Sequence, residues 1–98
     1  MDFEIIDGTL TKYIGSGGDV VIPEGVHTIG QNCFRDCCGL TSVTIGNNVH
    51  TIELEAFYNC KHLRSVSLPD SIATLGHSAF FNCRALQSVH LSNSLRAI

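Results

Sequence analysis

The stretch AFYNCKHLRSVSLP, from Ala56 to Pro69, returns almost unchanged as AFFNCRALQSVHLS from Ala79 to Ser92. A shift of 23 residues aligns nearly every apolar position of the chain from residue 19 onward. Val20, Val43, Val66 and Val89 share one column, and Ile22, Ile45, Leu68 and Leu91 share another. Further columns hold Val26, Val49, Ile72 and Leu95, then Ile29, Ile52, Leu75 and Ile98. Phe34, Phe57 and Phe80 align, as do Leu40, Leu63 and Leu86, Cys33, Ala56 and Ala79, and Cys37, Cys60 and Cys83. A fixed period of this length marks a solenoid. One coil cannot bury its own apolar edge, whereas stacked coils bury one another's. The repetition is a packing device.

Within a coil, LTSVTI, LRSVSL and LQSVHL alternate around a central valine, the period-2 signature of a short strand with one buried face. Strands that recur once per coil in one direction pair in parallel, with right-handed crossovers. Pro23 and Pro69 close two of these strands, and Gly46 and Ser92 hold the same column. Gly30 and Gly76 share a column with Glu53, which argues against an obligatory positive φ there. EAFYNC bunches its apolar residues too closely for a strand, so a single helical or 3-10 turn is expected over it. The first 18 residues fall outside the period. FEIIDGTLTKYIG reads as two strands around Asp7-Gly8, a strong hairpin signal, with GSGGD as the joint to the first coil.

Composition narrows the function classes. Of 98 residues, 44% are hydrophobic and 15% charged, the balance of a folded domain. The net charge of −3 gives no basic footprint for nucleic acid. That charge is uneven: residues 1–55 set Lys12 and Arg35 against eight acids, and residues 56–98 set four cations against Asp70 alone. No run approaches the roughly 20 apolar residues of a membrane span, and MDFEIIDG is not the start of a signal peptide. A cytoplasmic protein and a mature segment with an added methionine both fit that start.

LTSVTIGNNVHTIELEAFYNC and LRSVSLPDSIATLGHSAFFNC, with the partial earlier copy VVIPEGVHTIGQNCFRDC, resemble the BspA-type leucine-rich repeat. The opening DGTLTKYIGSGGDVVIPEGV is also similar to the lead-in of such arrays in bacterial proteins. Departures are Cys33 at the usual alanine and Glu53 at the usual glycine. The resemblance implies an α/β repeat solenoid, a right-handed leucine-rich repeat with one short parallel strand and one short helical or 3-10 turn per coil. Residues 1–18 would form an N-terminal hairpin cap, and residues 19–98 an array of about three and a half coils whose C-terminal end is uncapped. The resemblance further implies no catalysis and no cofactor, and a cell-surface or secreted adhesion or interaction module with a protein partner.

Five cysteines and five histidines invite a zinc or thiol-redox reading as a minor alternative. Structural zinc sites use tight ligand pairs, whereas Cys37, Cys60 and Cys83 are spaced by the repeat itself. Stacked thiols with parallel side chains also resist disulfide geometry, so these are expected to be buried and inert. Cys38 shares its column with Lys61 and Arg84 and is expected to face solvent. His27 and His50 are expected to lie together on adjacent coils as solvated turn residues, without the third ligand of a metal site. For protein contact the candidates are the column Arg35, Tyr58 and Phe81 with Lys61 and Arg84 beside it, and Thr44, Ser67 and His90 on the outer strand face. Packing of the two rings against adjoining coils is the competing reading. Homo-oligomer formation is the alternative function, through an edge built from Val89, Leu91, Leu95 and Ile98.

Overall fold

A computed structural model describes residues 2–90, with residues 88–90 described as backbone only. Nine strands form two sheets. The first is built from β1 (Phe3–Ile6), β2 (Thr9–Tyr13), β4 (Thr28–Ile29), β6 (Thr51–Ile52) and β8 (Thr74–Leu75), neighbours in that order. The second holds β3 (Gly18–Val21), β5 (Leu40–Thr44), β7 (Ser65–Ser67) and β9 (Ser88–His90). Apart from the antiparallel β1–β2 pair, every pairing is parallel. Val20 faces Val43, Val43 faces Val66, and Val66 faces Val89. Coils therefore stack in register at the period of the sequence.

Two expectations are corrected. Each coil carries two strands, not one, because the columns headed by Thr28 and Ile29 also pair with their counterparts on the next coil. That second strand is only two residues long, too short for alternation to reveal it. No helix or 3-10 element occurs among the described residues, and the AFYNC segments are strings of turns. Their amides alternate in destination. Arg35 and Cys37 N–H donate locally to the carbonyls of Asn32 and Phe34, whereas Phe34 and Asp36 N–H donate to Ala56 and Tyr58 on the next coil. Residues with left-handed backbone recur four positions apart: Asn32 and Asp36, Glu55 and Asn59, Ser78 and Asn82, all with φ between 56° and 63°. A left-handed residue at every fourth position ends a helical turn as soon as it forms, and Asn and Asp adopt that conformation most readily.

The hairpin turns at Asp7 (φ 50°) and Gly8 (φ 80°), the two positive values a two-residue type I′ loop demands. His27 holds the tip. Its N–H and that of Thr28 donate to Gly8 O, its Nε2 lies 3.0 Å from Asp7 O, and a Cβ on Gly8 would run into its ring. Strand β2 then pairs with β4, so the hairpin continues the first sheet. At Gly30 and Gly76 φ is not positive, as Glu53 in their column implied. Close approach is what small size serves there: a Cβ on Gly30 would meet Leu10 O at 2.6 Å, and one on Gly76 would strike the Glu53 backbone.

One continuous core of aliphatic columns fills the space between the two sheets and the turn side. Through it runs an aromatic stack: Tyr13 on Phe34 (ring centroids 5.0 Å apart), Phe34 on Phe57 (4.9 Å) and Phe57 on Phe80 (5.2 Å). Phe34 and Phe57 are wholly buried. Tyr13, outside the repeat, takes the place of a phenylalanine at the start of that stack, and its hydroxyl accepts from Gly17 N–H at 2.9 Å.

Candidate functional site

The turn side carries two adjacent columns to the surface. In the first, the Arg35 guanidinium carbon sits 4.7 Å from the Tyr58 ring centroid, within cation–π range. The Tyr58 and Phe81 rings stack at 5.3 Å with 19° between planes. Tyr58 is half-buried, and Phe81 is 57% exposed, a large apolar ring left to water. Lys61 and Arg84, three residues beyond the rings, are both exposed. The structure thus joins Arg35, Tyr58 and Phe81 in one column, with Lys61 and Arg84 exposed on the coils of the two rings. The rings stack on one another, as the packing reading expects.

The second column is Asp36, Asn59 and Asn82, which sequence reasoning passed over. Asn59 Nδ2 donates to Asp36 Oδ1 at 2.7 Å, and Asn82 Nδ2 donates to Asn59 Oδ1 at 2.6 Å. These are also left-handed residues, so one side-chain type serves the backbone and the ladder together. The signal was present: Asp, Asn and Asn recur immediately before the cysteine column.

Thr44 and Ser67 lie exposed on the second sheet, and His90 pairs with Ser67 in backbone register. Val21, 68% exposed, heads the same column. Beside them Asp19 Oδ1 accepts from Ser42 Oγ (2.8 Å) and Thr41 Oγ1 (3.1 Å), and these bonds lower its carboxyl pKa, Ser42 contributing most. Leu91, Leu95 and Ile98 of the expected self-association edge lie outside the described residues, and Val89 is described only through its backbone pairing with Val66.

The five cysteines are free thiols. Cys60 is wholly buried and its Sγ donates to Phe34 O at 3.0 Å; Cys83 Sγ repeats the contact to Phe57 O at 3.1 Å. Burial pushes the Cys33 thiol up to about 12 and also raises Cys37. Cys60 is raised by its interaction with the neighbouring Cys83 thiol and by burial. Cys38 is exposed, as its basic column mates implied. His27 and His50 stack with ring centroids 5.3 Å apart and 4° between planes. Both Nδ1 atoms are engaged by the neighbouring threonine hydroxyls, at 2.8 Å for His27 and 2.9 Å for His50. Among the described residues no group of three or more His, Cys, Asp or Glu side chains is placed to hold a metal.

Comparison with known proteins fits this geometry. The family model described as BspA type Leucine rich repeat region (6 copies) matches residues 11–98. A leucine-rich repeat protein from Eubacterium ventriosum is 28% identical, with a TM-score of 0.79 over 85% of this chain and 23% of its own. One from Bacteroides ovatus is also 28% identical, with a TM-score of 0.78 over 93% of this chain and 26% of its own. The chain thus spans about a quarter of the length of these two solved structures. A search of curated proteins returns no match. With the family model covering nearly the whole sequence and the coils stacked at its period, the chain belongs to the BspA-type leucine-rich repeat family, of bacterial type.

Proposed function

We propose that the chain is a non-enzymatic protein-binding module whose contact surface is the Arg35–Tyr58–Phe81 column with Lys61 and Arg84. One observation carries this reading: Tyr58, covered by a coil on either side, still reaches the surface while sandwiched between Arg35 and Phe81. Aromatic and arginine side chains are the residues on which interfaces most often depend. Leucine-rich repeat modules generally mediate protein interactions, and the family is generally non-enzymatic. The strand positions Thr44, Ser67 and His90 are secondary candidates for contact, with few strong anchors among them. Residues 2–18 serve as a terminal cap, supported by the β2–β4 pairing and by Tyr13 on Phe34. The module belongs to a larger surface or secreted adhesion protein, a reading drawn from the family resemblance and tested by fractionating cells that carry the complete tagged protein.

The contact surface is tested by placing a photo-crosslinking residue at Phe81, and separately at Ile6 on the hairpin, in the protein within its native cells. Protein adducts from position 81 that vanish with Tyr58→Ala support the surface. Equal adduct yields from positions 81 and 6, insensitive to Tyr58→Ala, overturn it.

A further inference from the structure

An unbroken chain of side-chain hydrogen bonds ends on Arg84. Its Nε donates to Asn82 Oδ1 at 2.9 Å, Asn82 donates to Asn59, and Asn59 donates to Asp36. A cation stands at one end and an anion at the other, so every amide dipole in the row points the same way and each bond polarises the next. The row climbs beside the aromatic column, because Asp36, Asn59 and Asn82 each follow a member of that column in sequence. Engaging Nε leaves the terminal amino groups of Arg84 as further donors, since a guanidinium carries five N–H bonds in a fixed fork. The ladder therefore orients the fork and leaves its outer prongs available.

Lys61 occupies the column of Arg84 one coil earlier, about 4.8 Å along the stack. Like charges on neighbouring rungs repel each other. Among the described residues the ion pair on this face is Arg35 with Asp36, and neither Lys61 nor Arg84 has a carboxylate within ion-pair distance. At the Lys61–Arg84 end of this face, away from Asp36, two exposed cations on neighbouring coils stand beside two stacked rings, a positive patch next to an apolar strip.

We propose that this face binds an extended segment of a partner protein in which acidic and apolar residues alternate. The proposal rests on the protein-binding reading above and names the partner's chemistry. In an extended chain successive side chains point to opposite sides, and every second one returns after about 6.7 Å. A segment lying between the two columns turns its carboxylates toward Arg84 and Lys61 and its apolar side chains toward Tyr58 and Phe81. Arg84 takes a carboxylate through its two free prongs, the geometry that distinguishes arginine from lysine. The long Lys61 arm absorbs the mismatch between coil spacing and peptide repeat.

The test is fluorescence anisotropy with a labelled short peptide alternating glutamate and leucine, against its glutamine–leucine counterpart, on the intact chain. The acidic peptide is expected to bind at least about tenfold more tightly, an advantage that added salt erodes. Lys61→Gln with Arg84→Gln should abolish that advantage. Asn82→Gly, which keeps the left-handed backbone and both cations but frees the guanidinium, should weaken acidic-peptide binding about threefold and spare the glutamine peptide. Equal binding of the two peptides, no binding of either, or an acidic preference that survives the double substitution overturns the proposal. Should both peptides bind equally and both be lost with Tyr58→Ala, the acidic preference fails while the contact surface stands.

Discussion

Two aromatic columns climb the molecule side by side, one residue apart in sequence. Phe34, Phe57 and Phe80 stack at 4.9 and 5.2 Å; Tyr58 and Phe81 stack at 5.3 Å under Arg35. Ring spacing is nearly the same in both, because the coil repeat sets it. Burial is not: on one and the same coil Phe57 is wholly enclosed, whereas Tyr58 is half-buried. Stacking alone therefore says nothing about purpose in a repeat protein. What distinguishes a packing column from a contact column is whether anything covers its outer side.

The sharpest way to break that comparison is to truncate one ring from each column of the same coil. Phe57→Ala should cost about 3–5 kcal/mol in urea denaturation, a large part of the roughly 5–15 kcal/mol that holds a small domain folded. Tyr58→Ala should cost less than about 1 kcal/mol. Equal costs would make the outer column a second core.

Alkaline titration probes the interior from another side. Cys33, at about 12 in the fold against 9.0 unperturbed, keeps its proton where the unfolded chain has lost it. Below pH 9 both states are protonated and this thiol leaves stability unchanged; from pH 9 to 12 the folded state binds more protons, so stability falls by up to about 1.4 kcal/mol per pH unit. Cys33→Ala should make that part of the profile shallower, Cys37 and Cys60 still contributing, and an unaltered slope would show the thiol is not buried. Asn59 sharpens the boundary between the columns. Asn59→Ala removes the ladder and forces φ 63° on an alanine, costing about 1–2 kcal/mol. Asn59→Gly loses the ladder but keeps the backbone, and should cost visibly less. A smaller effect of opposite sign is expected at Gly46, which shares a column with Pro23 and Pro69, has open space where its Cβ would stand, and borders a cleft of about 240 Å³. Gly46→Pro should raise stability by about 0.4–1 kcal/mol in the same denaturation assay.

The apolar columns were legible in the sequence because burial repeats with the period, and a shift of 23 residues exposes them without any knowledge of geometry. The hairpin was legible because Asp7-Gly8 has few alternatives as a turn. The second strand of each coil was not, since two residues such as Thr51 and Ile52 carry no alternation. The turn side misled for a physical reason. AFYNC has the apolar spacing of a helical turn, but Glu55 and Asn59 adopt left-handed backbone, and only Asn59 is of a type that advertises it. The surface column of Arg35, Tyr58 and Phe81 could be read from the period, and so could the recurrence of Asp36, Asn59 and Asn82, while the hydrogen bonds that join that row to Arg84 needed side-chain geometry.

Methyl and aromatic NOE spectroscopy on the labelled chain gives the most direct trial of the stacked architecture. Strong cross-peaks should join Val20 to Val43, Val43 to Val66, and the ring of Phe57 to those of Phe34 and Phe80. Cross-peaks confined within each sequence copy, with none linking residues one period apart, would contradict it.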